Sequence, residues 1–211
     1  MRKREKEVKD PEAIAAVLDG AQWGTLGLVT PGGHALLVPI SFVQYQGRIY
    51  FHSAPVGDKL EAIKANPEVS FLVVDPLAKI PSFVLDPADA NAGFLFFKSV
   101  ILHGRIGLVT DLTRKAEILE AFLKKYQPEG RHEPITAGSP TYKAVVKGVA
   151  VLEMTVERRS GKFSLGQKLK PEDKTAVMQF LEQRGSHEDQ RTREAMASWA
   201  DPAGGGSEPS P

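Results

Sequence analysis

The chain has 211 residues, 42% of them hydrophobic and 25% charged, with a formal net charge of +1 and no cysteine. That length holds one sizeable domain or at most two small ones. The absence of cysteine excludes disulfides, thiol nucleophiles, iron–sulfur clusters and thiolate zinc sites, and the near-zero charge draws the protein neither to nucleic acid nor to acidic membranes. The start, "MRKREKEVKDPEA", is charged and lacks the apolar stretch of a secretory signal. No apolar run approaches the ~18 residues of a membrane span. A cytoplasmic location is the expectation.

In chain order, Asp10–Pro11 reads as the cap and first residue of a helix whose stripe is Ile14, Val17 and Leu18, closed by Gly20. Three β-rich runs follow, "WGTLGLV" (23–29), "HALLVPISFV" (34–43) and "GRIYFHS" (47–53), separated by the turn sequences "TPGG" and "QYQG". They predict an antiparallel meander. Pro39 within the second run implies an edge, a bulge, or a backbone that faces something other than a strand. A helix is expected over roughly 57–65, then a strand over 69–75, "VSFLVVD". Residues 76–94 carry three prolines and no period, and read as a long loop. A long strand over 95–111 follows, with Gly104 suggesting a bulge or bend. The amphipathic helix from Leu112 carries Ile118, Leu119, Phe122, Leu123 and Tyr126 on one face. A last strand is expected over 145–157, then a helix over 171–184 and a second, polar helix to about Trp199.

The sum is about six strands with helices at the edges, a mainly β (α+β) fold built as a small antiparallel barrel or sandwich. The expected division is a β domain over 1–165, a helical extension over 166–199 that packs on it or on a partner subunit, and a disordered, linker-like tail over 200–211. Nucleotide-loop and nucleophile-elbow motifs are missing. The histidines, at 34, 52, 103, 132 and 187, show no metal-ligand spacing, so no metal site is expected.

The stretch "YFHSAPVGDKLEAIKANP" (50–67) carries one local conflict. Lys59 falls in the first turn of a helix, where the macrodipole disfavours a cation. Either Ser53 or Asp58 caps the helix and Lys59 points to water, or the bend amides, the Ser53 hydroxyl and Lys59 converge on an anion. Asp58 opposes the second arrangement unless it turns away. The residues alone leave both open.

The run from "GTLGLV" through "HALLVPISFVQYQGRIYFHSAPVGDKLEAIKANPEVSFLV", together with "FKSVILHG" (97–104), resembles the FMN-binding split-barrel superfamily that includes pyridoxamine 5′-phosphate oxidase. The likeness is strongest to its 5-nitroimidazole-resistance-type branch. "SGKFSLGQ" (160–167) is similar instead to the FMN-binding negative transcriptional regulators of the same superfamily. The resemblance implies a six-stranded antiparallel split β-barrel with peripheral helices, binding FMN at the interface of a homodimer. It carries over Val38, Pro39, Ile40, Ser41 and Phe42 as the strand beside the isoalloxazine ring. It also carries His52 and Ser53 as flavin contacts, Lys59 as the phosphate lysine, and Lys98 and Ser99 from a second strand. Lys162 and Gln167 would be C-terminal contributions. Asp58 stands where relatives place a second cation, a role that Arg48 or Lys98 would have to fill.

The resemblance implies a flavin-dependent oxidoreductase that reduces a small acceptor such as a nitro compound or a quinone, with His52 as the catalytic residue. The alternatives are an FMN-binding regulatory or sensing module without turnover, and a split barrel that holds F420 or haem. Neither nucleic acid nor a membrane is an expected partner.

Overall fold

The computed structural model describes residues 4–199. It contains seven strands, β1 (Glu7–Val8), β2 (Trp23–Val29), β3 (Ala35–Tyr45), β4 (Arg48–Ser53), β5 (Glu68–Ile80), β6 (Phe94–Leu108) and β7 (Ala150–Ser164). Six helices accompany them, α1 (Pro11–Gly20), α2 (Asp58–Ala65), α3 (Leu112–Tyr126), α4 (Lys143–Gly148), α5 (Pro171–Arg184) and α6 (His187–Ser198). The sheet order is β1-β7-β4-β3-β2-β5-β6, and a further β7–β6 pairing closes it into a ring. This is the expected split-barrel class. The tail over 200–211 lies outside the described residues.

Contacts divide the chain into two compact units, one of residues 11–73 and 100–160, the other of residues 4–10, 74–99 and 161–199. In the first unit, β2 and β3 alternate so that Leu26, Leu28, Ile40 and Phe42 point inward. Phe71 meets both Phe42 and Phe51 edge-on, at centroid distances of 4.9 and 5.0 Å. Such contacts add about 1 kcal/mol each beyond burial. The α3 stripe Ile118, Leu119 and Phe122 packs with Val43, Tyr50, Val146 and Val151. Asp111 ends no strand; its carboxylate accepts the Arg114 amide at 2.7 Å and caps α3. Gly104 lies inside β6. A Cβ there would come within 2.0 Å of the Thr155 carbonyl oxygen, so glycine serves a close backbone approach.

Two sequence expectations about the strands are corrected. The loop expected over 76–94 begins as strand, because β5 runs through Pro76 to Ile80. Its backbone finds partners far along the chain, since the Ala78 amide donates to Thr192 Oγ1 (2.9 Å) and Lys79 O accepts from Arg184 Nη1 (3.0 Å). The last strand does not span 145–157. Val145 and Val146 belong to α4, and β7 continues to Ser164, where Gly161 and Lys162 pair with Val8 and Glu7. α5 ends on Gly185 at φ +65°, and α6 opens with a capping box between Ser186 and Asp189. Asp189 is 0% exposed and ion-paired to Arg184, whose Nε donates to it at 2.9 Å. Arg191 pairs with Asp75. Among the described residues no helix is long and apolar enough to cross a membrane.

Candidate functional site

The β3–β4 hairpin opens into a fork. Tyr45 and Arg48 flank Gln46 and Gly47, both at positive φ, the turn that places its flanking residues in a hydrogen-bonded pair. Ladder alternation then directs the backbone groups of Val43, Ser41, Pro39 and Leu37 toward the β4 side of β3. Pairing with β4 stops at Phe42–Phe51, while pairing with β2 continues along residues 35–41. The peptide edges of Leu37 and Pro39 therefore face no strand. Proline, with no N–H to leave unpaired, suits that edge. Ser41 and His52, next in the β3–β4 register, are where the strands part.

Tyr126 of α3 pins the other side of β3. Its hydroxyl accepts the Phe42 amide (3.0 Å) and lies 2.9 Å from Phe42 O and 2.6 Å from Gln22 O, its one proton serving either carbonyl. Phe42 itself is 0% exposed, so this candidate ligand contact is a core side chain with an engaged backbone. Val38 and Ser41 are half-buried, Pro39 is exposed and Ile40 is buried.

Across the fork, His52 is half-buried, and its ring stands edge-on to Phe122 at 4.6 Å. Its Nδ1 is buried and has no hydrogen-bond partner among the described residues, a costly state unless a ligand completes it. Burial first, and then the Lys59 charge, lower the His52 pKa, which favours a neutral imidazole at neutral pH. Beyond His52 the chain bends through Ala54–Gly57 into α2. Gly57 is at φ +119°, a conformation costly for any residue with a side chain.

Among the described residues no side chain caps α2. Ser53 Oγ donates to Ala54 O (2.7 Å), and Asp58 is exposed and makes no capping bond. The Leu60 and Glu61 amides reach Gly57 O, whereas those of Asp58 and Lys59 have no intrahelical acceptor. Lys59 is half-buried, and burial lowers its pKa; it has no acidic partner among the described residues. Arg48 cannot make up for Asp58, being held by Glu153 (2.6 Å) and Thr155 (2.8 Å).

The other four candidates belong to the second unit. Ser99 Oγ donates to Lys162 O (3.3 Å), Lys98 Nζ lies 5.7 Å from the Phe163 ring centre, and Lys162 Nζ lies 5.4 Å from that of Phe97. Ser99, Lys98 and Lys162 thus share a patch of β6 and β7. Gln167 bonds Phe163 O (2.8 Å) and the Leu165 amide (3.0 Å), closing the turn after β7. Phe122 and Tyr126 are the positions that border the fork and that sequence reading did not connect with it. Both sit on the α3 stripe, where the polar end of Tyr126 was the available signal.

The family profile for pyridoxamine 5′-phosphate oxidase matches residues 10–163, which include the fork and α2. No curated protein sequence matches this chain. Among solved structures, the chain is similar to the flavocytochrome Anf3 from Azotobacter vinelandii (23% identity, 83% of this chain and 77% of that one, TM-score 0.66). It is also similar to an FAD and haem binding protein from Mycobacterium smegmatis (19%, 81% and 80%, 0.64). A third likeness is to a candidate 5-nitroimidazole antibiotic resistance protein from Bacteroides thetaiotaomicron VPI-5482 (19%, 74% and 86%, 0.61). At these identities the three show a shared fold. With the profile spanning the forked barrel and its uncapped helix, the chain belongs to the pyridoxamine 5′-phosphate oxidase family.

Proposed function

We propose that this protein is a flavin-dependent oxidoreductase that holds its flavin at the β3–β4 fork and reduces a small acceptor such as a nitro compound or a quinone. The observation that carries the reading is the set of unmet polar groups in one place: the open β3 edge, His52 Nδ1 and the uncapped start of α2 beside Lys59. These suit a ligand with an apolar, hydrogen-bonding ring and an anionic tail. Val38, Pro39, Ile40 and Ser41 would hold the ring, and Ser53, Lys59 and the first amides of α2 the phosphate. FMN is the flavin that the resemblance implies.

A bound flavin supplies the electron chemistry, and the chain supplies orientation and access. His52, neutral and braced by Phe122, can hold or pass a proton or steady developing negative charge. Lys98, Ser99, Lys162 and Gln167 are assigned to the same ligand by the resemblance.

The protein is further proposed to act as a homodimer. Beside the fork, β2, β3 and β5 present an outward apolar face that includes Trp23 (63% exposed), Leu37 (69%), Pro39 and Leu72. A second copy covering this face would also cover the open edge at Pro39. Light scattering should give twice the chain mass, and a monomer contradicts this arrangement. The absorption spectrum of the purified protein, with chromatography of what heat releases, tests the main reading. A flavin spectrum is expected. A colourless protein that neither FMN nor FAD reconstitutes overturns it, and a haem spectrum replaces it with a haem-binding barrel, in keeping with the two neighbours named for haem or cytochrome.

A further inference from the structure

At the turn end of the β3–β4 hairpin, away from the fork, α1 leaves a cavity of about 340 Å³. That volume is within the range of small-molecule sites. Its described lining belongs wholly to the first unit. The floor is apolar and comes from three elements: Ile14 and Leu18 of α1, Ile49 of β4 and Leu102 of β6, all buried. Two small residues keep the hollow open. Ala15 is the half-buried side chain of α1 beside Ile14, and Gly47 in the hairpin turn has nothing within 4 Å of where a Cβ would sit.

The rim is polar. Gln44, which pairs with Ile49 in the hairpin register, brings an amide, Glu12 a carboxylate, and Arg159 of β7 a guanidinium. Arg159 is exposed, has no acidic partner among the described residues, and is the cation among the described lining. Its planar fork of donors matches a carboxylate. Pro11 and Glu12 also bring the N-terminal, partly positive end of α1 to this rim. The Glu12 charge opposes part of that field.

We infer that this cavity is a binding site for a medium-chain carboxylic acid, with the chain on the apolar floor and the carboxylate on Arg159. The site is separate from the fork and stands independently of the flavin reading.

Titration of the full isotopically labelled chain with octanoate, hexanoate, octanol and octylamine, followed by nuclear magnetic resonance, tests this. Octanoate should bind with a Kd of about 1 mM or below and shift chiefly the Ala15, Gly47, Ile49 and Leu102 signals. Hexanoate should bind about tenfold more weakly, because two methylenes leave the floor. Arg159→Gln should weaken octanoate about three- to fivefold and leave octanol within about twofold. Ala15→Leu, which fills the hollow, should abolish binding of both, and circular dichroism confirms that each variant is folded. Octanoate that fails to bind, or that binds Ala15→Leu as well as wild type, overturns the inference. So does octylamine or octanol binding as tightly as octanoate, which would remove Arg159 from the recognition. Shifts centred on Ser41 and His52 would move the acid to the fork and equally contradict it.

Discussion

Two helix starts in this molecule treat the same problem in opposite ways. At α6 every early demand is met internally: Ser186 and Asp189 form a capping box, Arg184 pairs with the buried Asp189, and Thr192 Oγ1 accepts from Ala78 N while donating to Glu188 O. At α2, among the described residues, no side chain caps the helix, Lys59 has no acidic partner and His52 Nδ1 has no hydrogen-bond partner. A folded chain leaves buried polar groups unmet only at a cost of about 1–3 kcal/mol each. The α6 end is architecture, and the α2 end, with the buried His52 Nδ1 beside it, is the end proposed above to meet a ligand.

The contrast predicts that the two regions fail differently. The largest effect should come from Asp189→Ala, which removes the charged hydrogen bonds to a partly exposed Arg184 and one half of the α6 capping box, costing about 3 kcal/mol in denaturant unfolding while leaving the flavin affinity of the folded protein within about twofold. The Arg184 hydrogen bond holds the Asp189 pKa at about 2. Because that value is depressed, the contribution is complete above the unfolded-state pKa of about 3.9 and is lost as pH falls toward 2. Acid melts of wild type should steepen across that window, and those of Asp189→Ala should not.

Substitutions at the fork should act on ligand chemistry and spare stability. His52→Ala should slow acceptor reduction by about 10²-fold, about 2.7 kcal/mol. Unchanged flavin content and turnover would remove His52 from the mechanism. Lys59→Ala should weaken flavin binding about tenfold, or about 1.4 kcal/mol, without lowering the melting temperature, since it deletes a partly desolvated cation that no internal acid balances. Tyr126→Phe links the two behaviours. It deprives the Phe42 amide of its acceptor, at about 1 kcal/mol of stability, and loosens β3 at the fork. Equal stability of this variant and wild type would show that Tyr126 does not pin the strand.

What could be read from the sequence follows the range of the forces involved. The meander, its turns and the α3 stripe are local patterns. So was the Pro39 signal, which the register explains as an open strand edge. Lys59 stood out because helix electrostatics are also local. The continuation of β5 past Pro76 was hidden, because its backbone partners Thr192 and Arg184 lie more than a hundred residues on. A separation of 84 residues likewise hid the role of Tyr126, a contact between α3 and β3 that no periodicity marks. Phe42 was assigned to the ligand with its strand neighbours, and only the packing shows that its side chain faces the core.

The central claim is that the unmet groups of the fork are a flavin site. The most direct measurement is nuclear magnetic resonance of the apoprotein as FAD or FMN is added, following the backbone amides and the His52 ring nitrogens. The account predicts that the largest shifts fall on Ser41, His52, Asp58 and Lys59, with the His52 Nδ1 signal moving as it gains a partner, while Ser186 and Asp189 stay still. Flavin binding that leaves those four residues unmoved would contradict it.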